Sequence, residues 1–170
     1  MHRGVFVRYE RCLGCRSCQL ACAVSHTRAG TLAEALLQGE AGGRRLFVDQ
    51  VGAVKAPSVC RHCEEAYCVA ACPAGAMWKR PDGVVTNAGS LHQCVGCWMC
   101  VMACPFGVIS RGPGGQAVKC DQECLDGDGL PACVKACPTR ALVFTTMEEF
   151  EAGRRRAALQ GAAATASGGR

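Results

Sequence analysis

Sixteen cysteines stand in 170 residues, and they divide into four groups of four with none left over. The first quartet is Cys12, Cys15, Cys18 and Cys22, spaced C-x2-C-x2-C-x3-C. The second is Cys60, Cys63, Cys68 and Cys72, spaced C-x2-C-x4-C-x3-C. The third, Cys94, Cys97, Cys100 and Cys104, repeats the spacing of the first. The fourth is Cys120, Cys124, Cys133 and Cys137, spaced C-x3-C-x8-C-x3-C. Pro73, Pro105 and Pro138 directly follow the last Cys of quartets two, three and four, and Ala23 takes that place in quartet one. Thiols in such number serve as disulfides, zinc ligands or iron–sulfur ligands.

The compact quartets have a geometric reason. Three cysteines at three-residue intervals can wrap their thiolates around three corners of a cube from one tight loop. Gly14 and Gly96, inside the first C-x2-C of their quartets, let that loop turn without strain. The third and fourth cysteines are always four apart, in CQLAC, CVAAC, CVMAC and CVKAC. Four residues make one helical turn and put both sulfurs on one face, with Cβ atoms about 5–6 Å apart. The following Pro stops the turn, because it has no N–H to donate and clashes if the helix continues. C-x2-C-x2-C-x3-C-P is a [4Fe–4S] ligand run whose fourth Cys serves the other cluster of a pair. Each short helix would then bridge two clusters. Zinc favours two C-x2-C knuckles on a long loop, which the three compact quartets are not. The N-terminal MHRGVFVRYERC has no apolar h-region, and the chain reads as cytoplasmic, where disulfides are disfavoured.

The elements must position these thiolates. Residues 60–105 read as one complete two-cluster unit. Between quartets two and three, segments 77–80 and 84–86 form a hairpin around Pro81-Asp82-Gly83. Quartets one and four then pair across this unit, with strands 5–9 and 141–146 meeting at the chain ends. Sequential pairing, one with two and three with four, is the alternative. Under nesting, one cluster takes Cys12, Cys15, Cys18 and Cys137, and its partner Cys22, Cys120, Cys124 and Cys133. The inner pair take Cys60, Cys63, Cys68 and Cys104, and Cys72, Cys94, Cys97 and Cys100. The expected fold class is α+β, ferredoxin-like, as two nested two-cluster modules of short helices and β-hairpins. The outer module covers residues 1–59 and 106–150, and the inner one 60–105. Residues 151–170 make a helix end and a disordered tail.

Elsewhere, residues 31–38 (TLAEALLQ) predict a short helix with Thr31 as N-cap and Glu34 at the capping-box position. LFVDQVG predicts a strand, and VIS-RGPGG-QAVK a second hairpin. Residues 121–132 (DQECLDGDGLPA) predict an acidic surface loop, and 147–159 a helix. The low-complexity QGAAATASGGR is expected to fray. His62, in CRHC, is either a hydrogen-bond donor to a cluster sulfur or an exposed loop histidine. Trp98 and Met99, in CWMC, are expected to shield a cluster by packing, with a role in partner recognition as the alternative. Lys119 either lends positive charge to a reduced cluster or lies on the surface. Arg154, Arg155 and Arg156 read as a solvated helix end, with docking to an acidic partner as the alternative. Gly75 and Gly107 permit turns.

Composition agrees with an inorganic centre. Of the apolar residues 26 are Ala, and the larger ones (Val, Leu, Ile, Met, Phe, Trp, Tyr) number only 42, with Ile109 the single Ile. That is thin for a hydrocarbon core of this length. The formal charge is +5 with every Cys neutral. Four clusters at the 2+ level on sixteen thiolates bring it to about −3, so the basic balance carries no nucleic-acid reading, and no recognition motif supports one. No apolar run is long enough to span a bilayer. No nucleophile–base pair, phosphate loop or nicotinamide fingerprint is present, so the chain reads as an electron carrier without a catalytic site of its own.

The runs CLGCRSCQLAC, CRHCEEAYCVAACPAGA, CVGCWMCVMACPFGVI and KCDQEC…PACVKACPTRAL resemble the four-cluster polyferredoxin subunits of multi-subunit oxidoreductases, over roughly residues 4–146. The first and third runs look most like the iron–sulfur subunit of nickel carbon monoxide dehydrogenase systems. Related subunits serve molybdopterin formate dehydrogenases and reductases, and hydrogenase complexes. The resemblance implies a ferredoxin-like fold, four [4Fe–4S] clusters, the nested ligand sets above, and relay of low-potential electrons. The partners it implies are a catalytic subunit, with carbon monoxide dehydrogenase favoured, and a second redox protein. Any membrane association would be peripheral, through a partner. One departure is visible: the group usually has two residues between the first cysteines of quartet four, and here Asp121, Gln122 and Glu123 make three.

Overall fold

The computed structural model describes residues 2–167 and has α+β architecture, with no sheet wider than two strands among those residues. Strand β1 (Gly4–Val7) leads through a 3₁₀ turn (Tyr9–Arg11) to the first quartet and helix α1 (Ser17–Val24). Helix α2 (Leu32–Leu37) and the hairpin β2 (Phe47–Val51)–β3 (Val54–Ser58) fill the long connection to the second quartet. Helix α3 (Tyr67–Ala70), hairpin β4 (Trp78–Lys79)–β5 (Val85–Thr86) and helix α4 (Met99–Ala103) carry quartets two and three. Hairpin β6 (Ser110–Arg111)–β7 (Ala117–Val118), helix α5 (Ala132–Lys135), strand β8 (Leu142–Thr145) and helix α6 (Met147–Ser167) complete the order.

Local chemistry explains most of these elements. At α2, Thr31 Oγ1 accepts the Glu34 N–H (3.3 Å) and donates to the Glu34 carboxylate (2.7 Å), which fixes the predicted start. Between β4 and β5, Gly83 takes φ +89° and its N–H reaches Arg80 O at 2.9 Å. Asp82 Oδ1 accepts the Val84 N–H at 3.0 Å, a carboxylate bond two residues on that holds a tight turn. LFVDQVG is a strand as expected, and its partner β3 was not foreseen. The pair is joined by the two residues Gly52-Ala53, with Gly52 at φ +57°.

The chain ends meet. Strands β1 and β8 are antiparallel, with Val5 opposite Phe144 and Val7 opposite Leu142, and Arg8 N–H extends the ladder to Ala141 O at 2.7 Å. Two apolar cores result. One gathers Val5, Cys18, Cys22, Leu46, Val48, Cys133 and Leu142, from both ends of the chain. The other gathers Met77, Val85, Cys100, Ile109 and Ala117, from its middle. Helix α1 packs on α5, and α3 on α4.

Hairpin β6–β7 packs with the middle of the chain: Ile109 and Ala117 belong to the middle core, and Asn87 Nδ2 donates to Ala117 O at 2.8 Å. One expectation shifts. Helix α6 runs to Ser167, through residues expected to fray. Alanines 157, 158 and 162–164 have the highest helix propensity, which outweighs the roughly 1 kcal/mol cost of Gly161. Residues 168–170 of the expected tail lie outside the described residues.

Candidate metal centres

The four quartets share one backbone device. The second residue after the first Cys is left-handed in every case: Gly14 (φ +70°), His62 (+47°), Gly96 (+69°) and Gln122 (+59°). This kink folds the next cysteine back beside the first. In the two tightest quartets a second left-handed residue follows the second Cys, Arg16 (+62°) and Trp98 (+64°), and each is the N-cap of the helix that carries the third Cys. The extra residue of quartet four is absorbed here. Gln122 supplies the kink, and its side chain donates to Arg3 O at 3.0 Å. Asp121 turns inward onto the guanidinium of Arg45.

At the other end of quartets two, three and four, the Cys-Pro turn closes with a left-handed residue three positions on. The N–H groups of Gly75, Gly107 and Arg140 reach the carbonyls of Cys72, Cys104 and Cys137 at 3.1, 3.2 and 3.2 Å. Quartet one lacks the Pro, and α1 continues past Cys22 to Val24.

The thiols converge across the chain. One space of about 340 Å³, counted with the part open to solvent, is lined by Cys72, Cys94, Cys97 and Cys100, with Trp98, Met77 and Ala117. A second of about 370 Å³ is lined by Cys60, Cys63, Cys68 and Cys104, with His62, Val108 and Lys119. A third of about 300 Å³ is lined by Cys12, Cys15, Cys18 and Cys137, with Val48 and Leu142. The remaining four are electrostatic neighbours. Burial pushes the Cys120 thiol up to about 12, with Cys60, Cys124 and Cys22 adding to the rise. Burial likewise raises Cys133, beside Cys120, Cys124 and Cys22. Cys18 and Cys68 are each pushed by burial to about 11. Among the described residues no three His, Cys, Asp or Glu side chains close on a single ion. Tetrahedral zinc needs that, at about 2.3 Å from each sulfur. Four thiols lining one apolar-walled space are the donor set that an iron–sulfur core takes.

Several sulfurs accept hydrogen bonds. Ala141 N–H donates to Cys137 Sγ (3.2 Å), Arg45 N–H to Cys22 Sγ (3.3 Å), Ala117 N–H to Cys94 Sγ (3.5 Å) and His62 N–H to Cys60 Sγ (3.5 Å). The Ser17 hydroxyl donates to Cys15 Sγ at 3.4 Å and lowers its pKa. Such bonds stabilise negative sulfur and set reduction potential. Cys15 and Cys97 are exposed, in two different sites.

The residues left with alternatives have definite places in the structure. His62 is 5% exposed rather than an open loop residue, and burial holds its imidazole down at about 3. Lys119 is 2% exposed, not a surface lysine, and its ammonium opposes the burial that raises Cys60. Trp98 is half-buried against Cys94, Cys97 and Cys100, as shielding requires, whereas Met99 is 43% exposed. Within the expected acidic surface loop, Asp121 is buried. The Arg45–Asp121 pair was missed: the two residues are 76 positions apart, and no local pattern links them.

Comparison with known proteins agrees with this donor set. Residues 51–147 match the family of 4Fe-4S dicluster domains, and residues 9–25 a 4Fe-4S binding domain. An iron-sulfur protein of Rhodospirillum rubrum is 37% identical, over 90% of this chain and 87% of its own. The B subunit of the anaerobic dimethyl sulfoxide reductase of Escherichia coli (strain K12) is 36% identical, over 86% of this chain and 75% of its own. Electron transport protein HydN of the same organism is 34% identical, over 92% of this chain and 97% of its own. With thiols gathered around shared spaces and relatives of this kind along most of its length, the chain belongs to the ferredoxin-type 4Fe–4S electron-transfer proteins.

Proposed function

We propose that the sixteen cysteines hold four [4Fe–4S] clusters in the nested sets given above. The chain is then the electron-relay subunit of an oxidoreductase complex, with no catalytic site of its own. The observation that carries this is the gathering of thiols four at a time from quartets distant in sequence, with quartets one and four in one core and two and three in the other. A [4Fe–4S] cluster, when bound, takes up and returns one electron. The chain does the rest. Helix α1 ties Cys18 to Cys22, and α5 with the turn that follows it ties Cys133 to Cys137, so neighbouring sites stand about one helical turn apart. Cys60 is an electrostatic neighbour of Cys120, which joins the outer pair of sites to the inner pair. The order along the molecule is therefore the sites of Cys12, Cys22, Cys60 and Cys72. Exposed Cys15 and Cys97 mark the two ends, where partners dock. The nested division runs to about residue 118 on its inner side, because β6–β7 packs there.

For the catalytic partner, the named relatives favour the molybdopterin reductase or dehydrogenase class, or a hydrogenase complex, over the carbon monoxide dehydrogenase favoured in sequence. One relative is the B subunit of a dimethyl sulfoxide reductase. Anaerobically purified protein should carry about sixteen irons and sixteen sulfides per chain, as four clusters require. Zinc without acid-labile sulfide would overturn the cluster reading. Anaerobic affinity purification from the native cell should bring down a molybdopterin-containing or hydrogenase chain. A nickel enzyme whose carbon monoxide oxidation reduces this protein would restore the other assignment.

A further inference from the structure

The Cys60/Cys63/Cys68/Cys104 site is lined unlike its neighbours. Lys119 and His62 both face its space, at 2% and 5% exposure. Lys119 Nζ donates to Val85 O and, at 2.9 Å, to Cys120 O. Among the described residues no carboxylate pairs with it. A buried ammonium without an anionic partner is strongly disfavoured, so the compensating negative charge must come from the thiolate site it lines. His62 adds a donor. Val85 N–H, which can only donate, meets Nδ1 at 3.0 Å, so Nδ1 holds the lone pair and Nε2 the proton. Nε2 is buried with no partner in the protein.

The other sites lack this equipment. Around Cys72, Cys94, Cys97 and Cys100 the polar lining is Asn87. Around Cys12, Cys15, Cys18 and Cys137 it is Thr139 and the exposed Arg16. Beside Cys22 and Cys120 the cation Arg45 is neutralised by Asp121. Uptake of one electron makes a site more negative by one charge and forms or breaks no bond. The site with an uncompensated buried cation gains most from it.

We infer that Lys119, supported by His62, makes the Cys60/Cys63/Cys68/Cys104 cluster the most easily reduced of the four, so that an electron on this relay comes to rest at the junction between the outer and inner pairs. This rests on the cluster reading above, and the test separates the two. Anaerobic holoprotein of confirmed iron content is titrated with dithionite and mediators, and the reduced centres are followed by low-temperature electron paramagnetic resonance. In Lys119→Met, the first-reduced centre should lose at least tenfold in its reduction equilibrium, 59 mV for one electron. Lys119→Arg should restore most of it. Full iron with an unmoved first midpoint, or an equal shift in all four, overturns the inference and leaves the cluster reading standing. Iron-free wild-type protein overturns both. Should Lys119→Met fail to load, Cys63→Ser in the otherwise native chain decides: the first-reduced signal should be the one altered, and its survival unchanged sinks the assignment.

Discussion

The left-handed positions are where single residues carry the site. Gly75, Gly107 and Arg140 occupy equivalent places three residues after a cysteine, all with positive φ. Only Arg140 bears a side chain there, and that conformation costs an L-residue about 1–2 kcal/mol. Arg140→Gly should therefore stabilise the protein by about 0.5–1 kcal/mol after the extra chain entropy of glycine is subtracted. An anaerobic thermal melt should show a midpoint about 2 °C higher. The reverse change separates two glycines. A Cβ on Gly96 would sit 2.9 Å from the backbone oxygen of Gly115, which cannot swing away. A Cβ on Gly14 would meet the flexible end of Lys55 at 2.7 Å. Gly96→Ala should cost the full left-handed penalty of about 1–2 kcal/mol plus the clash, and Gly14→Ala less. Denaturant midpoints of the two holoproteins check the ranking, and a Gly14→Ala protein weaker than Gly96→Ala would refute it.

At the scale of elements, the short pieces were legible wherever a turn residue punctuated them. Pro81-Asp82-Gly83 announced one hairpin, RGPGG another, and Thr31 with Glu34 a helix start. The strand β3 escaped because VKAPS has no alternation and carries a Pro. The full length of α6 escaped because small residues read as low complexity, although alanines favour helix. Thiol spacing announced the quartets, but nothing local announced that Lys119 or Asp121 would be buried, since their surroundings come from residues far along the chain. Helix α6 is tied down at its start. Glu149 accepts the Thr146 N–H at 3.2 Å, Phe150 stacks on Phe6 with ring centroids 4.9 Å apart, and Arg154 pairs with Glu10 at 2.5 Å. Beyond residue 156 it is exposed through residue 165. Phe150→Ala removes the one aromatic anchor, so α6 should detach and become cleavable by trypsin at Arg154–Arg156 with the iron content unchanged. Protection equal to that of the parent would show that the ion pair and cap suffice.

For the whole molecule, cysteines sit in both apolar cores, and the larger apolar residues are too few to replace what the thiols enclose. Binding of metal at such a site is folding free energy. Anaerobic iron chelation should therefore abolish the cooperative unfolding transition rather than merely bleach the protein, as circular dichroism would record. A chelated protein that melts cooperatively at the original midpoint would show the cores to be self-sufficient. Among the described residues no helix is long and apolar enough to cross a membrane.

The short helices have a corollary for damage. Cys18 and Cys22 lie one turn apart on α1 but belong to different proposed sites, as do Cys133 on α5 and Cys137 two residues past its end. Oxidative loss of the inorganic core at one end of such a helix frees the segment that steadies the other. Injury by oxygen should then travel inward from the exposed Cys15 or Cys97 ends as paired losses, and repair would have to rebuild two centres at a time.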